Sequence, residues 1–154
     1  MKAMLEAAAQ DFTHGLQIDS DGQHDVADLE RLLAESKANP TALISGRPVY
    51  DASIPKGRLY GRYITHFWVW IETLSLSIKD SMCGFRAYPL ATCVDLIQQE
   101  RLGKRMDFDI EIMVRLFWRG VPIGNFPTRV IYPEDGISHF HGWQDNWLIS
   151  KMHT

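Results

Sequence analysis

The chain predicts an α/β protein with a mainly parallel sheet flanked by helices, and three observations carry that expectation. Helix-patterned and strand-patterned segments alternate along most of the 154 residues. The candidate strands are short apolar runs bounded by Gly, Pro, Asn or Asp, such as Ala42-Leu43-Ile44 before Ser45 and Gly46. The first strand runs directly into an acidic pair, Asp19 and Asp21, at the kind of edge where open α/β sheets hold their ligands.

Taken in order, residues 1–13 suit a helix, with Met4, Leu5 and Ala8 apolar at helical spacing and Gly15 closing it. Residues 15–19 read as a strand. Beyond His24, Asp25 or Asp28 caps a helix whose Leu29, Leu32 and Leu33 form a core-facing stripe, ending near Asn39 and Pro40. Residues 42–46 are a short buried strand. Residues 47–61 read as a loop, with Pro48, Pro55, Gly57 and Gly61 and the cations Arg47, Lys56, Arg58 and, just past it, Arg62. Cations on a loop past a strand end suit a diphosphate, and equally suit plain solvation.

The helix from Arg62 to about Lys79 carries Phe67, Trp68, Trp70, Ile71, Leu74 and Leu76, spread beyond one stripe. Such a helix is usually buried; the competing reading for residues 62–79 is an aromatic helix resting in lipid headgroups as a peripheral membrane contact. Residues 80–88 are strand-like, with Gly84 permitting close backbone approach. Residues 89–101 return to helix, closed by Gly103. Asp107, Asp109 and Glu111 open a further helix that stops at Gly120, where acids suit the helix dipole and one of them also suits a general base. Residues 121–132 read as a strand pushed toward an edge by Pro122 and Pro127. A polar loop over 132–141 precedes a helical segment from Trp143.

Bulk properties narrow the classes. The length suits one domain, 1–154, and the 45% hydrophobic, 23% charged composition is that of a globular protein. Sixteen basic against nineteen acidic residues, a net charge of -3, argue against general binding to nucleic acid. Cys83 and Cys93, the two cysteines, make neither a disulfide framework nor a zinc site, which suits a reducing cytoplasmic compartment. The most apolar stretch is interrupted by His66 and Glu72 and falls short of a membrane span.

Chemistry concentrates at Asp19-Ser20-Asp21-Gly22-Gln23-His24. In extended backbone Asp19 and Asp21 project the same way, and two like charges so close are costly without a cation or proton between them. Hard oxygen ligands suit Mg²⁺ or Mn²⁺. An EF-hand calcium loop has Gly where this chain has His24, which disfavours it. A magnesium-dependent phosphatase of the haloacid dehalogenase kind, with Asp19 as nucleophile, is the stronger rival; a solvated turn with one acid capping the next helix is the plainest reading, and a non-catalytic interaction domain that docks through the aromatic helix is a third.

Four motifs in one order, the Asp19 to His24 segment, Ser45-Gly46-Arg47, the Asp80 to Tyr88 segment with Cys83-Gly84-Phe85-Arg86, and Asp107 to Glu111, resemble family 2 glycosyltransferases. Within them the chain is similar to the branch holding dolichyl-phosphate mannosyltransferases and polyprenyl-phosphate sugar transferases. The resemblance implies a GT-A fold, a nucleotide-sugar donor, an acceptor hydroxyl or lipid-linked acceptor such as a polyprenyl phosphate, and placement at the inner face of the membrane. It implies a metal held by Asp19, Asp21 and Gln23, a base at Asp109 with Glu111 as substitute, and diphosphate contacts from Arg47 and Arg129. Ser138 and His139 would belong to a loop closing over the diphosphate. Family members begin with a further strand and acidic motif that hold the base. On that comparison this chain is the later, incomplete portion of the domain, expected to bind nucleotide sugar poorly and turn over little.

Overall fold

Residues 1–20, 22–50, 54, 56–103 and 106–130 are described by the structure, a computed structural model. Among the described residues nine elements follow one another: α1 (Lys2–Ala9), β1 (His14–Ile18), α2 (Asp28–Ala38), β2 (Leu43–Tyr50), α3 (Lys56–Thr73), β3 (Phe85–Pro89), α4 (Leu90–Gln99), α5 (Met106–Trp118) and β4 (Ile123–Val130). Strand alternation sends neighbouring apolar residues to opposite faces of the sheet. Leu43 and Tyr88 join Val69 of α3, Cys93 and Leu96 of α4 and Ile110, Met113 and Leu116 of α5 in one core. Ile44, Phe85, Ala87 and Phe126 join Leu32 of α2 in the other. The sheet is therefore a central layer with helices on both sides.

The strands lie in the order β1-β3-β2-β4. The expectation of a mainly parallel sheet is corrected here: β2 and β4 are parallel, but β3 runs antiparallel to both β1 and β2. The reason lies in the segment after α3. A crossover helix ordinarily returns the chain to the far edge of the sheet, but residues 74–84 double back along α3. The Trp70 indole donates to the Ile78 carbonyl at 2.8 Å, and further back Arg62 binds Asp80. The chain thus enters β3 from the edge it left at the end of β2.

Other boundaries shift for local reasons. Residues 47–50 extend β2 alongside β4, and past Ser45 the ladder with β3 ends, so Pro48 sits where one side of the strand has no ladder to interrupt. The helix predicted from Arg62 begins at Lys56, running through Gly57 and Gly61, and ends at Thr73. Two glycines weaken a helix without forbidding it. On α2 the row turned inward is Leu29, Leu32 and Ser36, with Leu33 at its rim. Among the described residues β4 is an edge strand, as its prolines predicted.

α3 inverts the usual amphipathic arrangement. Thr65, His66, Val69 and Thr73 are buried, whereas Tyr60, Tyr63, Ile64, Phe67, Trp68 and Ile71 are 45–66% exposed. These recur at three- and four-residue steps and form one outward apolar stripe. Among the described residues no helix is long and apolar enough to cross a membrane.

Candidate functional site

Side chains two apart on a strand share a face, so Asp19 continues the row of Gln17 one step past the end of β1. The Asp19 amide donates to the Gly84 carbonyl at 3.1 Å, extending the antiparallel pairing of β1 with β3. The Asp19 side chain leans over Gly84: a Cβ built there would coincide with the carboxylate itself. Glycine at 84 is thus the condition for the placement of Asp19. Asp19 is exposed, with its carboxylate at the solvent edge rather than in either core.

After Asp19 the chain turns at Gly22, whose φ of +72° is a left-handed conformation that suits glycine. The His24 ring then stacks on Phe85 with centroids 5.3 Å apart, and its backbone bridges Val130 at the end of β4. Asp19 thus lies at the carboxyl end of β1 and His24 at that of β4, with the half-buried Gln23 beside it.

Beneath Asp19 lies a buried polar network. Tyr88 donates to the Gln17 amide oxygen at 2.7 Å, and the Gln17 amide nitrogen donates to Asp109 Oδ1 at 3.0 Å. Arg86, fully buried, donates to the carbonyls of Ser81, Cys83 and Asp109 at 2.7, 2.7 and 2.5 Å and to the Tyr88 hydroxyl at 3.2 Å. Burial opposes the Arg86 charge, but Tyr88 and Asp109 outweigh it and raise its pKa, so a fixed cation underlies the two acids. Burial likewise pushes the Tyr88 phenol up to about 12, and it stays a hydrogen-bond donor. Asp109, in the first turn of α5, is half-buried on the β1 side, held through the same Gln17 that shares a strand face with Asp19.

Arg47 and Arg129 come together at the same edge. Val49 pairs with Arg129 across the parallel β2 and β4, so Arg47 and Arg129 lie diagonally on one face of neighbouring strands, both exposed. It is also the face of Gln17 and Arg86, since Gln17 pairs with Arg86 and Arg86 with Ser45. Two residues past Ser45, Arg47 stands near the level of Gly84, about 10 Å across two strand spacings from Asp19.

Glu111 is not part of this gathering. Its carboxylate accepts from the Gly103 amide at 2.6 Å and from Arg115 Nε at 2.8 Å, two residues and more than half a helical turn round from Asp109. Asp21, Ser138 and His139 lie outside the described residues. Gln17, Arg86 and Tyr88 were missed by sequence reasoning, although the two-residue period places Gln17 beside Asp19 and an arginine inside an apolar strand signals a buried polar contact.

For Mg²⁺ or Mn²⁺ the donor chemistry fits: Asp19 carries hard carboxylate oxygens at an exposed position and Gln23 an amide oxygen four residues on. Among the described residues no three His, Cys, Asp or Glu side chains cluster as a ready-made metal cage. No protein-family model matches the chain, and no curated protein matches it either.

Proposed function

We propose that the chain carries the metal- and diphosphate-binding part of a GT-A glycosyltransferase site, moving a sugar from a nucleotide-activated donor to an acceptor hydroxyl or lipid phosphate. The observation that carries this reading is the gathering of Asp19, Asp109, Arg47 and Arg129 at one edge and on one face of the sheet, with Gly84 left bare beneath Asp19. Asp19 and Arg47 stand about 10 Å apart along the sheet, close enough for both side chains to rise from the same face toward one bound diphosphate.

When bound, Mg²⁺ or Mn²⁺ would neutralise charge growing on the departing nucleoside diphosphate. Asp19, with Asp21 and Gln23, would hold it. Arg47 and Arg129 would grip diphosphate oxygens by charge and two-pronged hydrogen bonds. Asp109, set by Gln17, would take the proton of an acceptor hydroxyl as its oxygen attacks the sugar carbon and the bond to the diphosphate breaks. A phosphate acceptor is already ionised and makes no such demand. The outward stripe on α3 supports a lipid-linked acceptor and peripheral membrane contact, because a contiguous apolar face of this size is uncommon on a surface that meets only water.

Equilibrium dialysis against a nucleoside diphosphate tests the reading. Weak but measurable retention is expected with manganese, to be absent without it, and to be lost in Asp19→Ala. Retention by Asp19→Ala equal to that of the natural sequence would overturn it. Beryllofluoride trapped covalently on Asp19 would establish the phosphatase instead.

A further inference from the structure

We propose that Arg62 and Asp80 are positioning residues for Asp19: together they fix the strap between α3 and β3 that floors the acid, and so make the site depend on where α3 lies. The inference rests on the reading of Asp19 as a metal ligand. A buried carboxylate is costly unless paired, and Asp80, 3% exposed, is held from several sides. Arg62 Nε and Nη2 donate to its two oxygens at 2.7 and 3.0 Å, His66 Nε2 lies 3.5 Å away, and the Met82 amide donates to Oδ1 at 2.8 Å. Arg62 and His66 belong to α3, whereas Met82 belongs to the strap.

From there the contacts run to the site without a break. The carbonyls of Ser81 and Cys83 are both fastened by Arg86, and the next residue, Gly84, gives Asp19 its backbone partner and the bare surface under its carboxylate. If the Arg62–Asp80 pair slackens, the floor shifts and the carboxylate shifts with it. A pair that served stability alone would leave ion affinity untouched in folded protein, and that difference is measurable. Outer residues that orient a ligand typically change metal affinity about 10- to 100-fold when removed.

The test is manganese titration, with the metal alone, of the natural sequence, Asp19→Ala, Asp80→Asn, Arg62→Lys and Arg115→Met, each shown folded by circular dichroism. Arg62→Lys keeps the charge but loses the two-pronged bond, and it decides the matter if Asp80→Asn fails to fold. Manganese affinity is expected to fall about tenfold or more in Arg62→Lys and Asp80→Asn. Arg115→Met, which breaks the ion pairs to Glu100 and Glu111 away from the site, should bind as the natural sequence does. Affinity lost in Asp19→Ala but unchanged in Arg62→Lys and in folded Asp80→Asn overturns the proposal alone. Affinity unchanged in Asp19→Ala overturns the site reading and this proposal with it.

Discussion

Gly84→Ala is the sharpest single probe of the site, because one methyl group competes for the space of one carboxylate. A Cβ at 84 would overlap all three terminal atoms of Asp19. Two responses are open to the chain. The Asp19 side chain can swing to an unfavourable torsion, at about 0.5–1.5 kcal/mol, or β1 and β3 can part, at the 1–3 kcal/mol typical of overpacking. The overlapped group is the exposed end of a short side chain, so the first response dominates and the stability loss should be about 1 kcal/mol. Ion binding should suffer far more, since the carboxylate itself must leave its place: manganese affinity should drop on the order of tenfold or more. Urea unfolding and manganese titration read the two effects separately. Gly61→Ala is the matched control: nothing lies within 4 Å of its Cβ, it sits inside α3, and it should stabilise by about 0.5–1 kcal/mol with ion binding unchanged. If Gly84→Ala keeps full manganese affinity, the proposal that Asp19 holds the metal fails.

Further expectations follow from other contacts. Burial alone would raise the Asp80 carboxyl, but His66 and Arg62 outweigh it and hold its pKa well below the usual carboxylate range. A depressed folded value means stability that is fully present above the unfolded pKa of about 3.9 and lost as pH falls below it. Asp80→Asn should therefore cost about 3 kcal/mol in urea unfolding between pH 5 and 7, with the difference narrowing below about pH 4; a pH-independent difference would refute the linkage. Glu111→Gln should lower stability by about 1–3 kcal/mol and leave manganese-dependent ligand binding intact, whereas Asp109→Asn should lower sugar transfer with that binding kept. Flotation with anionic liposomes should carry the natural sequence upward and leave a Phe67→Ser, Ile71→Ser double variant behind; equal flotation would remove the membrane role from α3.

Much of the fold was legible because it depends on local patterning. The turn after Asp19, the apolar strands, the edge position that the prolines signalled for β4, and the helix opened by Asp107 and Asp109 follow from rules that act within a few residues. What stayed hidden depends on contacts far apart in sequence. Gln17 meets Asp109 across 92 positions, and Arg86 reaches the Asp109 carbonyl across 23. Nothing within either neighbourhood announces the partner. α3 shows the same limit from another side: its composition said that it is apolar on many sides, but which side faces outward was decided by Arg62 and His66 finding Asp80. A buried ion pair at that spot turns the polar row inward and leaves the aromatic row in the open.

The antiparallel run of β3 and the closeness of Gly84 to Asp19 have one physical root. Had residues 74–84 completed an ordinary crossover, β3 would have begun at the opposite edge of the sheet, and Gly84 would have lain a strand's length from Asp19. Because the segment doubles back, fastened to α3 at Ile78 and Asp80, the residue that opens β3 arrives beside the residue that follows β1. An antiparallel pair then places both on the same face, where a side chain on one must exclude a side chain on the other. Glycine at 84 resolves that conflict in favour of the acid. The reversal of one strand is therefore what opens the floor of the site between Asp19 and Arg47, and a sequence pattern that records elements but not their direction has no means of revealing it.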